Sequence, residues 1–234
     1  MLDQAFESLK EFDWGTPLST VSGIEDAVVA SHADAALRQD VERRLIAALS
    51  TDISRDAKDY VCRKLAMIGS PAAVPALAGL LPEEIHSHLA RHALERIVGP
   101  EAANALKDAL PKVGGKLKIG VIGSLAARRE PIAVPVLAGL LGDVDPEVAR
   151  SAAVALGTIG GLEATRVLQA AIANTDKQNP MLIDALLSCA ESLVTDNMAK
   201  QAEGVYRSLS GEEQPRLIRL AATRGLLTCL NART

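Results

Sequence analysis

A thirteen-residue segment that opens and closes on leucine recurs along this 234-residue chain and restricts its fold more than any other feature. Leu65–Leu77 (LAMIGSPAAVPAL), Leu94–Leu106 (LERIVGPEAANAL), Leu125–Leu137 (LAARREPIAVPVL) and Leu156–Leu168 (LGTIGGLEATRVL) align without gaps, at successive offsets of 29, 31 and 31 residues. A tighter match lies inside the first and third: AVPALAGLL (Ala73–Leu81) returns as AVPVLAGLL (Ala133–Leu141) with one substitution. A period of about thirty residues is the signature of a repeat architecture, in which each unit buries its apolar face against the next.

Within a unit the apolar residues follow a helical period, break briefly, and resume it. DPEVARSAAVALGTIGG shows the punctuation: Asp145 as N-cap, Pro146 at the first helical position, Gly160 or Gly161 as terminator. Pro17, Pro71, Pro100, Pro131, Pro146 and Pro180 all fall where a helix is expected to start. The pattern predicts fourteen helices, with pairs beginning near Pro17, Ser54, Glu83, Gly115, Asp145 and Asn179. A capping box of Ser210 and Glu213 is expected to open the last helix.

Composition agrees. Hydrophobic residues make up 48% of the chain but aromatics only 2%, so the core must be built from Ala and Leu, which suit close helix packing and not strands. The expected architecture is all-α, a right-handed α-α superhelix of about six helix pairs forming one domain over residues 1–234. Residues 1–16 are expected to cap the N-terminal end, 17–210 to form the repeats, and 211–234 to close the array with a final helix. Phe6, Phe12 and Trp14 supply the aromatic mass of that N-terminal cap; the alternative is a docking peptide for a partner.

The string DPEVARSAAVALGTIG, with its Asp-Pro start, internal Arg150 and Leu-Gly-x-Ile-Gly close, resembles the consensus of HEAT repeats, most of all the bacterial branch related to phycobilisome (PBS) lyases. AVPALAGLL resembles the second helix of the same unit, and the resemblance covers roughly residues 54 to 176. It implies a HEAT-like solenoid with one convex layer of helices and one concave layer that grips a protein. Three related families carry chemistry. Deoxyhypusine hydroxylases use paired His-Glu dipeptides, whereas His32, His86, His88 and His92 are followed here by Ala, Ser, Leu and Ala. HEAT-type DNA glycosylases need a basic, aromatic-bearing face, which a chain of net charge −4 does not offer. Bilin lyases resemble these repeats generally and remain the alternative reading.

The same charge, 25 basic against 29 acidic residues, gives no long-range attraction for nucleic acid or acidic membranes. The longest apolar run, Ala72–Leu81, is too short to span a bilayer, and MLDQAFESLK lacks the features of a secretory signal, so a cytoplasmic location is expected. Cys62, Cys189 and Cys229 lie singly in apolar helical patterns and read as small hydrophobes.

Glu84, His88 and His92 are spaced four apart and would share one helical face, as a metal pair with a third ligand requires. The other reading is a solvated face that also carries Arg91 and Glu95. Glu83-Glu84 and Glu212-Glu213 read as helix-dipole partners in first turns. Lys107, Lys112, Lys116, Lys118, Arg128 and Arg129 form the main basic concentration, either a solvated face or a surface for an acidic partner.

Offsets from the closing Leu of each unit place an outward ridge on the second helices: Pro75, Ala78 and Gly79; Asn104, Lys107 and Asp108; Pro135, Ala138 and Gly139; Arg166, Gln169 and Ala170. Small apolar and charged ridges alternate. Two readings follow, a grooved surface that receives a protein or peptide, or close contact between neighbouring helices through small side chains. The functional expectation is a non-enzymatic protein-binding scaffold over Pro71–Ala173, without catalytic residues or cofactor; the alternative is a bilin-lyase-like or metal-dependent enzyme component.

Overall fold

A computed structural model describes residues 1–175 and 179–231; the expected closing segment 211–234 therefore lies partly outside the described residues. Among the described residues the chain is all-α, with fourteen α-helices, four short 3-10 turns and no strand. Its contacts divide it into two compact units, Met1–Ser124 and Leu125–Thr234.

The first unit contains α1 (Leu2–Leu9), α2 (Ser22–Ala30), α3 (Ala35–Leu49), α4 (Arg55–Ile68), α5 (Val74–Gly79), α6 (Ser87–Leu94), α7 (Pro100–Ala109) and most of α8 (Gly115–Ala127). Here α1 to α6 each pack on the next helix or the next but one, among them α3 on α5, α4 on α6 and α5 on α7. The second unit contains α9 (Val134–Leu140), α10 (Pro146–Ile159), α11 (Gly161–Asn174), α12 (Pro180–Thr195), α13 (Ala199–Ser208) and α14 (Arg216–Asn231). The same rule holds there, with α9 on α11, α10 on α12 and α12 on α14. Such next-but-one stacking is what an α-solenoid requires, since no helix pair can bury its apolar face alone.

The leucine register explains the core. Leu65, Leu94, Leu125 and Leu156 on α4, α6, α8 and α10, and Leu77, Leu106, Leu137 and Leu168 on α5, α7, α9 and α11, are all fully buried. Helix starts follow local chemistry. Asp34, Ser54, Asp145 and Asn179 each accept a backbone N–H of the first turn on their side-chain oxygen. Pro100, Pro146 and Pro180 occupy the first positions of α7, α10 and α12, while Pro71 and Pro131 open 3-10 turns that run into α5 and α9. Gly160 sits at φ +70° between α10 and α11, a conformation that reverses the chain within one residue.

Three expectations are corrected. The helix expected near Glu83 begins at Ser87, because residues 83–86 close a turn on themselves: His86 and Ser87 donate backbone N–H to the Glu83 carbonyl, and the His86 ring meets the Glu83 carboxylate at 2.6 Å. The Ser210 capping box is not formed. Ser210 Oγ donates to the Arg207 carbonyl, and α14 starts beyond Pro215, whose ring disfavours helix in the residue before it. Of the three N-terminal aromatics, Phe12 is buried and Phe6 half-buried, but Trp14 is 91% exposed. Leu217, Leu220, Leu227 and Leu230 on α14 are likewise exposed. No described helix is long and apolar enough to cross a membrane.

Candidate functional site

The buried closing leucines set the orientation of every second helix, and hence which residues face outward. In the first unit, Pro75 and Gly79 on α5 are exposed and Ala78 is half-buried. On α7, which packs against α5, Lys107 Nζ donates to Asn104 Oδ1 at 3.3 Å and lies 4.0 Å from the Asp108 carboxylate. In the second unit, Pro135 and Gly139 on α9 are exposed with Ala138 half-buried, and Arg166, Gln169 and Ala170 on neighbouring α11 are exposed. Each unit thus sets a small-residue helix beside a polar one.

Two of the small ridge residues are glycines, Gly79 and Gly139. A methyl group added at Gly79 or at Gly139 would meet no atom within 4 Å. The space beside both residues is open.

The histidine cluster is dispersed. Glu84 lies in the turn before α6, while His88 and His92 are exposed on the helix itself. Among the described residues, no three of His, Cys, Asp and Glu come together as a metal would require. Arg91 and Glu95, expected on a solvated face, are instead half-buried toward α8. The Arg91 guanidinium donates to the Gly120 carbonyl at 3.1 Å and to Ser124 Oγ at 3.4 Å, and Ser124 donates to Glu95 Oε1 at 2.6 Å. Burial lowers the Arg91 pKa, and the Glu95 charge opposes that shift. Its sequence signal was Gly120, one of three glycines in α8.

The acidic pairs are not in first helical turns: Glu83-Glu84 and Glu212-Glu213 both precede their helices. In the basic concentration, Arg128 is held by Glu130 at 2.8 Å, and Lys112 and Lys116 are exposed. All three cysteines are buried, and Cys62 and Cys189 are free thiols. Burial pushes the Cys62 thiol up to about 12 and Cys189 to about 11, so neither is a thiolate nucleophile near neutral pH.

The fold defines the class: an α-helical repeat protein. A family model described as HEAT repeats matches residues 115–180. Among solved structures, human deoxyhypusine hydroxylase in complex with glycerol is similar at 16% identity and a TM-score of 0.40, covering 98% of this chain and 96% of that one. An engineered protein is similar at 20% identity and a TM-score of 0.37, covering 99% and 98%. No curated protein sequence matches the chain.

Proposed function

We propose that this chain is a non-enzymatic scaffold that holds a protein or peptide partner against the exposed second helices, α5 with α7 in one unit and α9 with α11 in the other. The observation that carries the reading is the open space beside Gly79 and Gly139, on helices whose other outward residues are Pro and Ala. Small side chains there leave shallow apolar ground, and the polar neighbours on α7 and α11 supply charges that fix the register of a bound helix or strand. A cytoplasmic setting fits the unpaired thiols of Cys62 and Cys189.

The test replaces Ala78 and Ala138 with Glu. Both side chains reach the surface, so helicity and melting should stay nearly unchanged while capture of a partner is lost. Retained capture by a folded double variant would refute the second-helix face. The family resemblance also carries the bilin-lyase-like or metal-dependent alternative; a preparation carrying stoichiometric bilin or metal would favour that over the scaffold.

A further inference from the structure

The segment between α1 and α2 leaves a cleft of about 420 Å³ against α4. Phe12 forms part of its floor, its ring centroid 5.8 Å from that of Tyr60. Trp14 stands at the lip, 91% exposed, with Leu18 beside it at 66%. An indole and a leucine left in water together at the mouth of a cleft mark an interaction site more often than a cap.

The charge lining the cleft is unbalanced. Four carboxylates, Asp13, Glu25, Asp56 and Asp59, face two cations, Arg63 and Lys64. Asp59 is matched by Arg63 at 2.9 Å and Glu25 by Lys64. Asp13 and the half-buried Asp56 have no ion-pair partner among the described residues. Burial raises the Tyr60 phenol, and the negative charges of Glu25 and Asp26 raise it further, which reports the sign of the field on the cleft floor.

The chain already shows how this cleft treats a cation. The Lys64 ammonium lies 4.9 Å from the Tyr60 ring centroid, backed by the Glu25 carboxylate. Trp14 with Asp13 and Asp56 repeats those ingredients, a ring face and carboxylates, without a cation of its own; tryptophan is the aromatic that attracts cations best.

We infer that this cleft receives an arginine or lysine side chain from an extended basic segment of a protein partner, with its alkyl stem on Trp14 and Leu18 and its charged head toward Asp13 and Asp56. The site uses none of the second-helix residues and stands or falls independently of them. The acidic net charge of the whole chain, −4, favours the approach of such a partner.

Trp14 is the only tryptophan, so its emission reports the site directly. Titrating the full chain with a fluorescein-labelled peptide of alternating Arg and Gly should change Trp14 emission saturably. Binding read by peptide polarisation should weaken about tenfold or more in Trp14→Ala and in Asp56→Asn, the loss of a cation–π contact or a charge partner. Trp14→Phe should restore part of it, and added salt should weaken it. Asp184→Asn, an exposed carboxylate in the second unit, should bind as the parent does. All four variants alter surface or half-buried side chains, and unchanged melting would show them folded. An unchanged Trp14 emission, full-strength binding in Trp14→Ala, or equal loss in Asp184→Asn would overturn the site. Spermidine binding as tightly as the peptide would overturn its assignment to a protein segment.

Discussion

The guanidinium of Arg91 on α6 donates to the carbonyl of Gly120 on α8, and it fits because residue 120 has no side chain: a methyl there would stand 2.7 Å from the guanidinium carbon. The two residues must therefore couple. Arg91→Ala removes a half-buried charged donor and should lower the unfolding free energy by about 2 kcal/mol. Gly120→Ala expels the guanidinium and should also destabilise, although alanine favours helix by about 1 kcal/mol over glycine. Made in the Arg91→Ala background, Gly120→Ala should stabilise. Urea unfolding of the four proteins measures that reversal of sign, and additive effects would refute the coupling.

Glycines elsewhere in the helices should respond according to their surroundings. Gly123 on α8 has nothing within 4 Å of an added methyl, so Gly123→Ala should raise stability by about 1 kcal/mol, seen as a higher melting temperature. On α10, an added methyl at Gly157 would meet the backbone of Ala185 on α12 at 3.0 Å. Gly157→Ala should lower the melting temperature, since two packed helices have to part.

Leu94 is fully buried at a repeat-equivalent position, whereas Leu162 on α11 is 38% exposed. Leu94→Ala should cost ~2 to 5 kcal/mol, while Leu162→Ala should cost about 1 kcal/mol or less. Hydrogen exchange should quicken in α4, α5 and α7, which pack on α6, in the first variant.

Alkali should destabilise the protein through its thiols. Cys62 rises from an ordinary 9.0 to about 12 and Cys189 to about 11 because burial penalises the thiolate. The folded state thus holds these protons more tightly than the unfolded chain. Their contribution is whole below pH 9 and is lost as pH climbs through 11 to 12, at on the order of 1 kcal/mol per pH unit for each thiol. Urea midpoints measured across that range should fall, most steeply above pH 9, and Cys62→Ala should flatten the decline. At pH 8 a thiol-labelling reagent should leave all three cysteines untouched until urea is added.

What could be read from sequence was what repeats or what acts within one turn. Leu65 and its counterparts announce themselves because equivalent places in successive units are buried alike. Asp145 and Asn179 accept backbone N–H groups two or three residues away and Pro146 fixes its own φ, so their effect needs no knowledge of the rest of the chain. The failures involve contacts that spacing does not encode. Glu83 lost its helix to a turn closed by His86, and Ser210 was overruled by Pro215. Arg91 and Glu95 looked solvated by helical phase, yet the missing side chain at Gly120 admits them to α8. Trp14 lies outside any periodic segment, where burial depends on whether a neighbour leaves room. The outward positions of the second helices could be counted from their buried leucines, but the open space beside Gly79 and Gly139 required coordinates.

The near-duplicates Ala73–Leu81 and Ala133–Leu141 share three inner side chains, with Ala73, Val74 and Leu77 buried in one and Ala133, Val134 and Leu137 in the other, while Leu80 and Leu81 are buried and Leu140 and Leu141 half-buried. A refolding chain therefore has two berths with a common footing of three side chains, for which the two pieces compete within one molecule or between two. Kinetic traps and exchanged dimers are the characteristic errors of such duplication. Slow, concentration-dependent recovery after dilution from denaturant would be their mark, and exchanging Ala76 for the Val found at position 136 should deepen them.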